Sequence, residues 1–163
     1  MSEHHLSVIS PNRVEHNYSQ SIDAAPEAVF PLLCPVRELD WVVDWNPDWV
    51  ISTSGVVEKD CVFQTSTGAG EAIWIVTHHD AQRHQLEMLK VTPNHTVGKL
   101  EIVLAPDGDG GTKALVSYTY TSLGAAGDEF LSTFTESRYA QSMQAWEAAI
   151  NHYLRTGEKI APQ

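Results

Sequence analysis

The residues of this chain best suited to proton transfer near neutral pH are its eight histidines, since an unperturbed imidazole titrates at about 6.5. His16 and His78 fall in segments with strand-like alternation, on the side expected to face inward, and each is therefore a candidate general base. Tyr118 is a third candidate for chemistry inside the fold. His78-His79-Asp80 has the composition of a metal site, but neighbouring strand residues point to opposite faces, so two adjacent imidazoles do not readily meet one ion. No His-x-x-x-His pair is present, and no metal site is assigned. The chain also has no Gly-x-Ser-x-Gly elbow, Walker loop, dinucleotide fingerprint or Cys-x-x-Cys pair, so no cofactor is expected. Cys34 and Cys61, far apart and without metal-type spacing, read as free thiols.

A second set of residues suits binding. Strand alternation puts Val116, Tyr118 and Tyr120 on one face, and the bulk of that set favours it as the inner one. The same argument, more narrowly, turns Trp74, Val76 and His78 inward. Tyr18, Trp74, Tyr118, Tyr120, Tyr139 and Trp146 would together form an aromatic wall with hydroxyl groups at intervals, suited to a flat or amphipathic ligand. The same rings also suit an ordinary filled core. Polar residues on inward faces are more telling, because burying one without a partner costs about 1–3 kcal/mol. His16, Gln20, Thr135 and Ser142 belong to that group, and Arg138 at its flank offers a planar fork to an acidic ligand group or to a surface carboxylate.

These residues need elements to position them. Residues 1–12 are polar and aperiodic and read as a leader, residues 13–158 as one domain, and 159–163 as a tail. Val14–Ile22 alternates as a strand. Ala24-Ala25-Pro26-Glu27 opens a short helix that ends near Cys34-Pro35, and a second short piece spans Val36–Asp44. Strands are predicted over residues 50–57, 61–65, 72–78, 85–91, 97–105 and 113–122, with links too short for parallel crossovers. Asp128–Gly157 reads as one long amphipathic helix, on the order of 40 Å, with Tyr139, Met143, Trp146, Ile150 and Tyr153 on a single stripe. The fold class is therefore α+β, an antiparallel sheet with one long helix to cover it. A sheet of that size must curl round the helix, which leaves a cavity unless side chains fill it.

The stretch Ser21-Ile22-Asp23-Ala24-Ala25-Pro26-Glu27-Ala28-Val29-Phe30-Pro31-Leu32-Leu33, the pair Trp45-Asn46, and the closing Trp146–Gly157 resemble the START-like superfamily, also called SRPBCC, of polyketide cyclases and lipid-transport proteins. The resemblance implies a helix-grip fold, a seven-stranded antiparallel sheet wrapped round the C-terminal helix, with a ligand cavity between them. It carries no single catalytic signature, and none is transferred.

Composition narrows the function classes. The 163 residues suit one domain, with 42% hydrophobic and 19% charged residues. A formal net charge of −11, from 10 basic and 21 acidic residues, opposes attraction to phosphate backbones and anionic membrane surfaces. No segment approaches the roughly 20 apolar residues of a membrane span, and the N-terminus lacks a secretory pattern, so a cytoplasmic location without nucleic-acid or stable membrane partners is expected. The leading reading is a binder or carrier of a small hydrophobic or amphipathic molecule, lipid-, sterol- or polyketide-like. The alternatives are a cyclase/dehydratase-like enzyme using a cavity His or Tyr, and a protein-interaction module with Phe130 and Phe134 at its rim; a homodimer is compatible with each.

Overall fold

A computed structural model describes residues 3–162. Its elements run β1 (Arg13–Ile22), α1 (Pro26–Val29), two 3-10 turns (Phe30–Leu32 and Arg37–Asp40), β2 (Trp49–Ile51), β3 (Val62–Thr67), β4 (Gly70–Asp80), β5 (Gln85–Thr92), β6 (Thr96–Asp107), β7 (Gly111–Ser122), α2 (Ala125–Thr133) and α3 (Glu136–Thr156). The strands form one seven-stranded sheet in the order β1-β7-β6-β5-β4-β3-β2, every pair antiparallel. This is the predicted α+β class, with the sheet packed on the C-terminal helix. No helix of the described residues is long and apolar enough to cross a membrane.

Turn chemistry explains why consecutive strands pair. Between β4 and β5 the Asp80 carboxylate accepts hydrogen bonds from the backbone N–H groups of Gln82 (3.0 Å) and Arg83 (2.9 Å), a side-chain turn that reverses the chain. Between β6 and β7, Gly110 at φ +79° supplies the left-handed residue that the hairpin requires. Along the strands apolar residues alternate, so that Ala72, Trp74 and Val76 of β4, Leu86 and Met88 of β5, Leu100, Ile102 and Leu104 of β6, and Ala114 and Val116 of β7 are all buried on one face. Tyr139, Met143, Ala149 and Ile150 of α3 are buried against that face. Helix α3 also protects the free edge of β1: the N–H of Ser21 donates to Glu147 Oε2 (2.8 Å) and that of Asp23 to Asn151 Oδ1 (2.9 Å).

The structure corrects three sequence expectations. The single helix Asp128–Gly157 is two, broken at Phe134-Thr135. The hydroxyls of Ser132 and Thr133 turn back onto the carbonyls of Glu129 and Phe130, at 2.6 and 2.8 Å, as α2 ends, and Thr135 in extended conformation caps α3 by accepting the N–H of Arg138 at 3.2 Å. The second strand covers only Trp49–Ile51, because residues 52–58 close into a loop. There the Glu58 carboxylate accepts from the Ser52 hydroxyl and from the backbone N–H groups of Thr53 and Ser54. Finally, the β4–β5 register shifts between Val76 and His78, so Trp74 and Val76 are buried but His78 is exposed.

Candidate ligand-binding cavity

A cavity of about 140 Å³ lies between the sheet and α3. Its floor is the concave face of the sheet, from Phe63 on β3 and Trp74 on β4 to Val116 and Tyr118 on β7. Met143 and Trp146 of α3 close one side, and Glu38, Val42 and Trp45, from the segment between α1 and β2, close another. An apolar cavity of about 150 Å³ is known to hold a benzene-sized molecule, so the space suits one ring with a short substituent.

The aromatic walls are fixed by bonds that point away from the cavity. Trp45 Nε1 donates to the Pro35 carbonyl at 2.8 Å and Trp74 Nε1 to Thr65 Oγ1 at 3.0 Å. Trp74 stacks on Phe63 with centroids 5.3 Å apart and planes 13° from parallel, and on β5 the ammonium of Lys90 sits 5.0 Å from its ring centre, a cation–π contact. Trp146 rests on buried Trp41, 4.8 Å between centroids, and Trp41 Nε1 donates to the Leu32 carbonyl at 3.0 Å. With the indole N–H groups of Trp45 and Trp74 satisfied elsewhere, they present apolar surface to the cavity.

Two side chains bring oxygen atoms to the lining. Glu38 stands on the Arg37–Asp40 turn, held there by its N–H to the Cys34 carbonyl (2.8 Å) and by its own carbonyl, which accepts from Val42 N–H (2.8 Å). Its carboxyl makes no hydrogen bond among the described residues, and burial pushes its pKa up to about 8. Glu38 is half-buried by residue exposure; because its side chain lines the cavity, we assign that exposure to the cavity rather than to bulk water. Tyr118 is the second. Its hydroxyl also lacks a partner among the described residues, and burial, reinforced by Tyr120, Glu38 and Tyr139, holds it well above the ordinary tyrosine range.

The sequence-predicted residues divide between this cavity and its surroundings. Trp74, Tyr118 and Trp146 line it. Tyr120 and Tyr139 are buried behind Tyr118: Tyr120 stacks on it at 5.6 Å, while the Tyr139 hydroxyl donates to the Val116 carbonyl at 2.5 Å. Phe130 and Phe134 join them half-buried, each meeting the Tyr120 ring edge-on at 5.0 Å, and Phe134 lines a surface pocket with Tyr118, Tyr120, Tyr139 and Ser142. His16 belongs to the same cluster; its Nε2 donates to the Phe134 carbonyl at 2.8 Å, which assigns the proton to that nitrogen and directs it away from the cavity. Tyr18 packs half-buried against the core. Thr135 and Arg138 are exposed at the start of α3. Ser142 is exposed and lines an apolar surface groove, beside Val43 and Ala145, that shares Val42 and Trp146 with the cavity. His78 faces outward near Gln85 Oε1, at 3.4 Å.

Glu38, Trp45 and Phe63 are among the lining residues that sequence reading missed. Nothing in Val36-Arg37-Glu38-Leu39-Asp40 separates Glu38 from Asp40, and only the short 3-10 turn puts one carboxyl inside and the other in an exposed pair with Arg37 at 3.1 Å.

No family model matches the chain, and no curated protein matches it in sequence. Solved structures do match. The norcoclaurine synthase of Thalictrum flavum is 13% identical, with 96% of each chain covered and a TM-score of 0.66. Ara h 8.0201 is 15% identical over 89% of this chain and 99% of its own, with a TM-score of 0.61. DynU16, from the dynemicin biosynthetic locus, is 15% identical over 88% of this chain and 48% of its own, with a TM-score of 0.57. At such identities the likeness is one of fold, and the fold is the helix grip.

Proposed function

We propose that this protein binds a small, largely apolar molecule, about one aromatic ring in size, in the cavity between its sheet and α3. The observation that carries the reading is a cavity of about 140 Å³ walled by aromatic and aliphatic side chains, into which two polar side chains open without a partner in the protein. A filled core would leave no such space, and an apolar void with unpaired polar groups is costly unless something occupies it. The neighbours' fold supports the reading in the same direction, since one relative in fold is a synthase crystallised with dopamine and hydroxybenzaldehyde. Val42 and Trp146 line both the cavity and the outer groove, and the proposed entry route passes between them.

Titration with ethylbenzene, followed through tryptophan emission and thermal stability, tests this. Saturable one-site binding is expected, since three cavity residues are tryptophans. At about 100 times Kd the ligand adds about 2.7 kcal/mol of stability. Leu100→Trp, which fills the cavity from the β6 wall, abolishes the binding while circular dichroism reports an intact fold. Absence of saturable binding to the unaltered protein refutes the proposal.

A further inference from the structure

We propose that the bound molecule carries a carbonyl oxygen, and that the Glu38 carboxyl and the Tyr118 hydroxyl both donate hydrogen bonds to it. The inference rests on the binding reading above and specifies the ligand's polar group. Three observations lead to it. The side chains of Glu38 and Tyr118 open into one cavity, come from separate elements, and make no hydrogen bond among the described residues. No lysine, arginine or histidine lines that cavity, so an acidic ligand group would find no counter-charge there. Of the indoles that line the cavity, Trp45 and Trp74 direct their N–H groups elsewhere, so the two oxygens and the N–H of Trp146 are its polar contacts.

Chemistry then selects the ligand. A phenol donates one hydrogen bond, and a carboxylic acid kept neutral by an apolar site donates another, so together they match the two lone pairs of one carbonyl oxygen. Protonated Asp and Tyr serve together in this way in ketosteroid isomerase. Glu38 meets the condition, because burial lifts it to about 8 and it is mostly protonated at pH 7. The other titratable groups packed around the pair leave that state in place. Tyr120 and Tyr139 lie behind Tyr118 with pKa values raised by burial. Lys90 is engaged on the Trp74 ring, and Arg37 and Asp40 pair with each other on the exposed side of the turn. An ammonium ligand would instead require the ionised carboxylate, and its affinity would have the opposite pH dependence.

Three probes of similar shape separate these possibilities: acetophenone, ethylbenzene and 1-phenylethylamine, each titrated from about pH 6 to pH 9.5. Acetophenone is expected to bind about tenfold more tightly than ethylbenzene at pH 6.5. Its affinity should fall above pH 8 as Glu38 ionises, while that of ethylbenzene stays level. Tyr118→Phe and Glu38→Leu remove the preference but keep ethylbenzene binding, which also shows that the cavity survives. Glu38→Gln retains an N–H donor, keeps the preference, and loses the decline above pH 8. Equal affinities for acetophenone and ethylbenzene, or tighter binding of the amine with an affinity that rises toward pH 8, overturn the carbonyl assignment and leave the binding reading intact. Failure of all three probes to bind overturns both.

Discussion

Glu38 is a carboxylic acid whose burial disfavours its charged form, and its protonation is therefore tied to folding. Its ordinary value of 4.5 rises to about 8 in the folded chain through burial. Between those values the folded chain keeps a proton that the unfolded chain has released, so the Glu38 contribution to stability is complete below about 4.5 and is lost as pH rises toward 8. The slope is at most about 1.4 kcal/mol per pH unit. Urea midpoints measured from about pH 5 to pH 8.5 should therefore decline less steeply in Glu38→Gln than in the unaltered chain, the difference isolating this group from the histidines. Parallel curves would place the Glu38 carboxyl in water. His16, His78 and Tyr118 were the titratable residues singled out by sequence, and only Tyr118 lines the cavity. A one-residue register shift disposes of His78, and a single carbonyl, that of Phe134, engages His16.

Among the elements, α2 and the α2–α3 break decide how the long C-terminal segment meets the sheet. Gly127 in α2 packs so tightly on the β5–β6 turn that a Cβ there would sit 2.0 Å from the His95 carbonyl oxygen and 2.6 Å from Ser122 Oγ. An exposed helical Gly→Ala change is stabilising by up to about 1 kcal/mol. Here the obstacle is backbone, so Gly127→Ala should destabilise by about 2 kcal/mol or more, seen as a lower urea midpoint. A stabilising result would mean that α2 lifts off the turn without cost. The helical periodicity from Tyr139 to Tyr153 was legible in sequence because α3 does pack one stripe on the core. The break before it was signalled only by Ser132, Thr133 and Thr135, whose side chains also fit the exposed face of a continuous helix. The packing of half-buried Phe130 and Phe134 on Tyr120 follows from that break, which turns α2 onto the ring.

Across the whole molecule the charge balance is lopsided. With a formal charge of −11, attractive ion pairs between Lys or Arg and acids number three among the described residues: Arg37–Asp40, Lys99–Glu101 and Arg155–Asp23. All three are solvent-exposed and worth little, so screening removes more repulsion than attraction. Raising salt from about 10 to about 150 mM at pH 7 should increase the urea midpoint; a decrease would show that the few pairs outweigh the net charge. The strands, their antiparallel pairing and the α+β class follow from the sequence alone, because alternation, helical periodicity and turn residues are local and repeat over many positions, while the helix grip was what the resemblance implied. Which side chains meet in the cavity was decided by the tertiary structure. Glu38 and Trp45 converge with Phe63 and Tyr118 from three separate stretches of chain, and a bulge or a single 3-10 turn reverses the direction of a side chain without leaving a pattern to read. The polar groups of a site owe their chemistry to that surrounding: the carboxyl of Glu38 differs from that of Asp40 only in what is packed around it.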